Sequence, residues 1–149
     1  MKIEIKTYNE LTKEDLYDLL QLRSQVFVVE QDCVYQDIDG LDSKAIHVLG
    51  TVNGKLCAYT RVFKAGDYFE YPCIGRVVVS KDKRKDGYGK QIMLASMAFI
   101  NSKCKEEQIV ISAQLYLTKF YRELGFVEQG EEYLEDDIAH IKMTKKANQ

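Results

Sequence analysis

Three consecutive valines at residues 77–79 are followed within ten residues by two glycines and then by a long apolar pattern. A strand with apolar side chains at successive positions buries both of its faces, so this one is predicted to lie inside a sheet with other layers around it. Gly87 and Gly89 precede residues 90–101, whose apolar positions predict a largely buried helix. This strand, loop and helix therefore favour a layered α/β structure.

Hydrophobic periodicity predicts the other elements. Thr12 has the features of a capping box, and helical spacing continues from it as far as Phe27. Asn53-Gly54 separates two β-rich runs and predicts a tight antiparallel hairpin. In chain order we expect a strand over residues 1–6, a helix over about 13–27, a polar loop over 31–43, strands over 45–52, 56–63 and 74–79, a helix over 90–101, a strand over 109–111, a helix over 115–124, and strands from 126 and over 138–143.

The predicted order is β-α-β-β-β-α-β-α-β-β, a mixed sheet with helices on its faces. A length of 149 residues, 46% of them hydrophobic, suits one core, so residues 1–149 are expected to form a single domain with a short polar tail. The alternating amino terminus does not resemble a signal peptide, and no apolar stretch is long enough to span a membrane. We therefore expect a cytoplasmic protein with no membrane contact.

Charge and cysteine content exclude several classes of function. The formal net charge of −2 argues against a dedicated nucleic-acid-binding protein, which usually carries a basic excess. None of the four cysteines forms a Cys-x-x-Cys pair, so zinc and redox sites are not predicted. We expect no metal and four reduced thiols: Cys33, Cys57, Cys73 and Cys104.

The loop before the buried helix has the composition of an anion-binding loop. Amide N–H groups point outward at a helix start, and glycine lets a ligand approach the backbone. The Walker A pattern fails because Arg84 replaces a glycine and Gln91 replaces the magnesium-binding serine or threonine. A dinucleotide fingerprint fails because its third glycine would fall at Ile92. The remaining pattern, Arg84-x-x-Gly87-x-Gly89, fits either a phosphate cradle or a solvated basic turn.

Two spaced motifs resemble the GNAT superfamily of acyl-CoA-dependent N-acyltransferases over nearly the whole chain. The valine strand followed by Arg84-Lys85-Asp86-Gly87-Tyr88-Gly89 is similar to the family's R/Q-x-x-G-x-G/A loop. The later segments Ile111-Ser112-Ala113-Gln114 and Phe120-Tyr121-x-x-x-Gly125-Phe126 are similar to its second half, although Gln114 stands where many members have asparagine. Residues 26–31, 37–42, 74–77 and 135–141 resemble the ElaA-type subgroup.

The resemblance implies the GNAT fold, a mixed and mostly antiparallel sheet of about six to seven strands, and acetyl-CoA as the acyl donor without a metal. It places the acetyl carbonyl against the backbone of the valine strand and the pyrophosphate over the glycine loop. It implies that Tyr121 is the general acid that protonates the departing thiolate. The cofactor-binding residues that it implies are Val77, Val78, Val79, Arg84, Lys85, Asp86, Gly87, Tyr88, Gly89, Lys90 and Gln114.

The general base and the acceptor site are less well defined by the sequence. Glu30, His47, Glu135 and His140 are all candidates for the base, and Glu30 is the one that we name as a possible base. Acidic segments at residues 30–42 and 131–137 favour a cationic amine on the side opposite the basic loop. The residues expected to bind the acceptor are Tyr35, Asp39, His47, Arg76 and His140.

The expected activity is the transfer of an acetyl group from acetyl-CoA to a primary amine of a small molecule or peptide. The amine attacks directly in a ternary complex, so no covalent enzyme intermediate is needed. The protein is expected to act as a monomer or homodimer. An alternative is a non-catalytic acyl-CoA-binding or partner-binding module on the same fold.

Overall fold

Seven strands and three α-helices alternate in the predicted order, in a computed structural model that describes residues 1–103 and 108–146. The strands form one sheet in the order β1-β2-β3-β4-β5-β7-β6, so the mixed α/β fold class is confirmed. The elements are β1 Lys2–Thr7, α1 Lys13–Arg23, β2 Ile46–Val52, β3 Lys55–Phe63, β4 Cys73–Val79, α2 Tyr88–Lys103, β5 Gln108–Gln114, α3 Thr118–Glu123, β6 Val127–Glu135 and β7 Ile138–Lys146.

The valines of β4 lie between two apolar layers, as predicted. Val77 and Val79 pack against the larger core cluster beneath α2, whereas Val78 packs against the cluster beneath α1. Helix α1 therefore covers one face of the sheet, which we call the α1 face, and α2 covers the other. Burial of alternate side chains on opposite faces fixes β4 near the centre of the sheet.

Strands β4 and β5 form the only parallel pair in the described sheet, and they pair at one position. Cys73 is the register partner of Val110, and Val110 N–H donates to the Pro72 carbonyl at 2.9 Å. Beyond that point β4 continues to Val79 and β5 to Gln114 with no further register partners between them. The two strands therefore diverge and leave a gap in the sheet, which we call the cleft.

Several element boundaries differ from the predictions. Helix α1 ends at Arg23 and continues as a π-helical segment, Ser24–Glu30, so the helical chain is longer than predicted but changes its pitch. A 3₁₀ turn, Leu115–Leu117, precedes α3 where one continuous helix was expected. The Asn53-Gly54 hairpin has positive φ angles at both turn residues, as its sequence predicts.

The cysteines that the structure describes are unpaired. Cys57 and Cys73 are buried, and burial raises the pKa of Cys73 to about 12. Cys33 is half-buried, and Cys104 lies outside the described residues. Within residues 1–103 and 108–146, no helix combines the length and the apolarity that crossing a bilayer requires.

Candidate functional site

A β-bulge changes the course of β4 beside the cleft. Tyr59 on β3 is the partner of Val78, but Arg61 is the partner of Gly75, so β4 contains one extra residue in this stretch. Arg76 lies in the bulge with φ of 48°, a left-handed conformation that few residues other than glycine adopt. The bulge changes the direction of the second half of β4. In that half, the backbone groups that face β5 have no strand partner in the described sheet.

The basic loop follows directly from the end of β4. Arg84 Nε donates to the Val79 carbonyl at 3.1 Å, which fixes the arginine beside the strand end. A Cβ on Gly89 would lie 3.5 Å from Phe120 Cζ and 3.7 Å from Val79 Cγ2, so the start of α2 packs closely on α3 and β4. Gly87 has φ of +77° and open space around it. Lys85, Asp86, Gly87 and Lys90 are exposed, and Tyr88 is half-buried.

Arg84 forms an ion pair with Glu30 across the mouth of the cleft. Arg84 Nη2 donates to Glu30 Oε1 at 2.8 Å, and Nη1 donates to the second oxygen of the same carboxylate. The hydrogen bonds from Arg84 lower the pKa of Glu30. The carboxylate proposed as a possible base is therefore bound by the arginine proposed to contact the cofactor.

Tyr121 lies beneath the cleft with its ring enclosed by aromatic neighbours. The Phe120 and Phe126 rings meet it edge-on at centroid distances of 5.1 and 6.2 Å. Burial raises the pKa of Tyr121, and the nearby Tyr116 adds to the rise. Burial therefore keeps this phenol protonated near neutral pH.

Gln114 bridges the cleft from the end of β5. Its side-chain amide pairs with that of Gln31 through two hydrogen bonds of 3.1 and 3.2 Å. Gln31 Nε2 also donates to Tyr116 Oη at 3.3 Å. Sequence reasoning did not assign a role to Gln31, because its partner is 83 residues away in the chain.

Three arginines and three aspartates form a buried network on the α1 face. Arg23 is fully buried and donates from Nε to Asp37 Oδ2 at 2.9 Å and from Nη1 to Asp42 Oδ1 at 2.7 Å. Arg61 donates to Asp42 Oδ1 at 2.9 Å and to both oxygens of Asp39 at 2.8 and 2.9 Å. The network therefore ties the loop after α1 to β3.

Arg76 joins this network from the bulge. Its Nη2 donates to the Asp37 carbonyl at 3.1 Å, and its Nε lies 2.8 Å from Asp37 Oδ1. The Nε–H is not aligned for a hydrogen bond, so that contact is an ion pair only. Tyr35 Oη donates to Asp37 Oδ1 at 2.8 Å and packs beside the Arg76 guanidinium.

The network corrects the expectation that this acidic segment presents free negative charge to an amine. The charges of Asp37, Asp39 and Asp42 are balanced by three arginines, and Asp37 and Asp42 are buried. Burial alone would raise the pKa of Asp39, but hydrogen bonds from Arg61 outweigh it and lower the value to about 2. Glu30 is also paired, whereas Asp32 is exposed and forms no ion pair with any residue that the structure describes.

His47 lies inside the fold beside this network. Its Nδ1 is 2.7 Å from Tyr59 Oη, and its Nε2 is 2.9 Å from the Asp42 carbonyl. The side chain has no exposed surface, and burial lowers its pKa. His47 therefore helps to fix the loop after α1 and has no free nitrogen for an acceptor.

A second polar cluster lies on the α1 face of strands β5, β6 and β7. Glu135 Oε2 accepts a hydrogen bond from Ser112 Oγ at 3.2 Å and lies 3.4 Å from His140 Nε2. Tyr133 bonds to Ser112 through its hydroxyl and stacks on the His140 ring at a centroid distance of 6.0 Å. We call these four residues the β6–β7 cluster.

Tyr68 lies on the loop between β3 and β4. It stacks on Phe63 at 5.1 Å, and its pKa is raised by burial and by the charge of Glu135. Tyr68 was not predicted, because the sequence around it contains no motif and its position depends on long-range packing.

The predicted site residues thus separate into three groups. The first lines the cleft and the start of α2, the second belongs to the buried arginine–aspartate network, and His140 belongs to the β6–β7 cluster. The cleft group contains Val77, Val78, Val79, Arg84, Gly89, Gln114, Tyr121 and Glu30; the network group contains Tyr35, Asp39, His47 and Arg76. Across the described residues, no three histidine, cysteine or carboxylate side chains are arranged to hold a metal ion.

Comparisons of the sequence and of the structure with known proteins agree on one family. A family model described as the acetyltransferase (GNAT) domain matches residues 7–147. Protein ElaA of Escherichia coli is 42% identical over 144 residues, covering 95% of this chain and 94% of that protein. Its crystal structure has a TM-score of 0.90 and covers 97% of this chain and 99% of that chain.

Two further structures share the fold. The crystal structure of an acyl-CoA N-acyltransferase from Pseudomonas aeruginosa has a TM-score of 0.91 at 39% identity, covering 97% of this chain and 99% of that chain. An aminoglycoside 6′-N-acetyltransferase complexed with coenzyme A has a TM-score of 0.73 at 15% identity, with 97% of each chain covered, so its likeness is one of fold.

Proposed function

The chain belongs to the GNAT acetyltransferase family, and from that premise we propose that it transfers an acetyl group from acetyl-CoA to a primary amine. The observation that carries the proposal is the cleft between β4 and β5. It combines unpaired backbone of β4, a basic loop at the start of α2, and a buried tyrosine that stays protonated near neutral pH. Family membership supports acyl transfer, and these groups are those that a thioester donor would use.

The donor binds with its pyrophosphate over residues 84–90 and its acetyl carbonyl against the free amides of β4. Outward amides at the start of α2, together with Arg84 and Lys90, favour an anion there. Backbone N–H groups aimed at a carbonyl stabilise the oxyanion that forms on attack. Arg84 exchanges Glu30 for a cofactor phosphate when the donor binds.

The reaction is a direct displacement. The amine attacks the acetyl carbon, a C–N bond forms, and the C–S bond breaks as the tetrahedral intermediate collapses. The departing thiolate takes the proton of Tyr121 Oη, which burial keeps protonated near neutral pH. The attacking nitrogen is positively charged in the tetrahedral intermediate, and the proton that it loses returns to the phenolate through solvent, so the tyrosine is unchanged after one turnover.

The acceptor, a small molecule or a peptide, enters on the α1 face. The loop after α1, the loop between β3 and β4 and the turn between β6 and β7 surround that mouth. Cys33 Sγ lies 3.3 Å from the Asp136 carbonyl, so the loop after α1 meets the turn between β6 and β7. This contact supports an acceptor that reaches the cleft beside these segments.

The test measures thiol release from acetyl-CoA by the purified protein, alone and with pooled diamines, polyamines, aromatic amines and short peptides. Mass spectrometry of the products identifies any acceptor by its gain of one acetyl group. We expect thiol release that depends on the amine. A protein that binds acetyl-CoA but releases no thiol with any pool would instead be the non-catalytic binding module.

A further inference from the structure

We propose that His140 and Glu135 form the proton-accepting pair of this site, with His140 Nε2 as the atom that receives the proton of the acceptor amine. The inference rests on the proposed function and identifies the base that the sequence left open. An alkylamine is protonated at neutral pH, so it must lose a proton before it can attack a thioester.

The structure disfavours the other two candidates for the base. Both ring nitrogens of His47 are within 2.9 Å of partners, and its side chain is inaccessible. Both oxygens of Glu30 accept hydrogen bonds from Arg84, which stabilise the carboxylate and oppose its protonation. His140 and Glu135 remain, and they lie next to each other.

The hydrogen bonds around His140 assign its tautomer. Nδ1 lies 2.7 Å from the Ile138 carbonyl, which can only accept, so Nδ1 carries the hydrogen. The neutral ring then has its lone pair on Nε2, on the side of Glu135. Stacking on Tyr133, with an angle of 20° between the ring planes, holds the ring in this orientation.

Both ring nitrogens of His140 face hydrogen-bond acceptors. Both neighbours of His140 are acceptors, a carbonyl at Nδ1 and a carboxylate oxygen 3.4 Å from Nε2. A neutral ring has one N–H, which donates to the Ile138 carbonyl and leaves the Glu135 oxygen without a donor from histidine. An imidazolium has two N–H groups, one for the carbonyl and one for the carboxylate. An imidazolium at this position would therefore have an acceptor at each nitrogen, which is the geometry that a proton-accepting histidine needs.

The position of His140 connects it to the cleft. It is the register partner of Gln114 on β5, and register partners point to the same face of a sheet. Gln114 in turn bonds to Gln31 above the cleft. Adjacent strands are about 5 Å apart, so His140 lies one strand from the cleft, and a proton from an amine there would reach Nε2 through water.

The charged groups near the ring are few. Glu135 and Tyr133 face it from β6, and Lys142 follows two residues along β7 on the same face. Strand β5 contributes only the neutral Ser112 and Gln114. Glu135 is thus the nearest carboxylate, and it acts as the positioning residue for the imidazolium.

The protons balance over one turnover. The ammonium form of the acceptor gives one proton to Nε2 through water, and the neutral amine then attacks. The C–S bond breaks and Tyr121 protonates the thiolate, after which the second amine proton restores Tyr121 through solvent. His140 releases its proton to solvent, so each amide bond formed is accompanied by one free proton.

The first test needs no acceptor. The chain contains two histidines, so ¹⁵N NMR of the labelled rings resolves both, and His140→Gln assigns them. We expect neutral His140 to carry its hydrogen on Nδ1, and Glu135→Gln to shift its titration midpoint to lower pH. Glu128→Gln, which removes a carboxylate from the same strand, is the control and leaves the midpoint in place. A hydrogen on Nε2, or an unmoved midpoint in Glu135→Gln, would overturn the pair.

The second test is kinetic, with 1,4-diaminobutane and phenethylamine as probes at saturating acetyl-CoA. In His140→Gln we expect kcat near neutral pH to fall about 10²-fold, the acidic limb of the pH profile to disappear, and KM for acetyl-CoA to stay unchanged. Turnover with an unaltered pH profile contradicts the inference. If His140→Gln does not fold, Glu135→Gln provides the same comparison. If no amine gives an acetylated product but the NMR result is as expected, the proposed function is refuted. The hydrogen-bonded pair of His140 and Glu135 is then still supported by the NMR result.

Discussion

Individual side chains at the cleft are held in place by partners that are distant in sequence. Arg84 is bound by Glu30, 54 residues earlier, and Gln114 by Gln31. These contacts connect the segment after α1 to the strand ends on each side of the cleft. The two polar pairs therefore occupy the mouth that acetyl-CoA would enter.

Tyr121 provides the most direct prediction at this scale. Tyr121→Phe should lower kcat about 10²-fold, the low end for general acid catalysis, because a thiolate is already a fair leaving group. The dissociation constant for acetyl-CoA should not change, since the ring and its aromatic contacts remain. Steady-state kinetics and calorimetry measure the two quantities, with the exposed Tyr17→Phe as control. Full turnover in Tyr121→Phe would exclude the tyrosine as the acid.

The pair formed by Glu30 and Arg84 gives a second prediction. If Arg84 must leave Glu30 to bind a phosphate, Glu30→Gln should tighten acetyl-CoA binding about two- to fivefold, which corresponds to a partly exposed ion pair. Calorimetry at fixed ionic strength measures the change. Glu128→Gln frees Arg122 in a similar pair elsewhere and should have no effect. Weaker binding in Glu30→Gln would mean that Glu30 orients Arg84 for the cofactor.

At the scale of elements, the loop after α1 is fixed by buried charge. Arg23 on α1 and Arg61 on β3 share the carboxylate of Asp42, so one side chain connects a helix, a strand and a loop. The same loop carries Tyr35 and precedes the strand that contains His47. The network therefore determines the shape of the α1 face beside the cleft without supplying free charge to it.

Removal of one charge from this network should destabilise the folded protein. Asp42→Asn leaves two buried guanidinium groups with too little negative charge, and we expect a loss of about 3–5 kcal/mol in the free energy of unfolding. Urea denaturation measures it. Arg122→Gln breaks an exposed ion pair and should leave the free energy of unfolding nearly unchanged. Similar stability for both variants would show that the network is not a folding determinant.

For the whole molecule, the charged residues fall into a basic loop at one end of the cleft and two acidic segments, one after α1 and one at the turn between β6 and β7. The loop carries Lys81, Lys83, Arg84, Lys85 and Lys90. In the segment after α1, Asp37, Asp39 and Asp42 are neutralised by arginines, whereas Glu135, Asp136 and Asp137 lie exposed at the turn between β6 and β7. A net charge of −2 therefore conceals a basic loop and an acidic turn at separate places in the fold.

The acid stability of the whole fold should depend on the buried network. Because the pKa of Asp39 is lowered to about 2 in the folded state, its contribution is complete above the unfolded value near 3.9 and is lost as the pH falls from about 4 to 2. We expect this carboxyl to contribute about 2 kcal/mol. Urea denaturation across that range, compared between the wild type and Asp39→Asn, measures it. Parallel curves for the two proteins would contradict this account.

The order of the elements was predictable because each depends on local patterns. Successive apolar residues in β4, the Asn53-Gly54 turn and the glycines before α2 act over a few residues, and the structure confirms all three elements. Boundaries were less predictable, since the change from α to π pitch after Arg23 depends on how the segment meets the sheet.

Sequence alone therefore determined the fold, the family resemblance and the position of the basic loop. Only the tertiary structure decided which charges are free. Asp37, Asp39 and Asp42 look like an acidic surface in the sequence, but arginines from α1, β3 and the β4 bulge neutralise them. His47 and His140 have similar apolar neighbours in sequence, yet one is sealed by partners at both nitrogens and the other faces a carboxylate. Hydrogen bonds and ion pairs between distant segments set these differences, and local sequence patterns do not encode them.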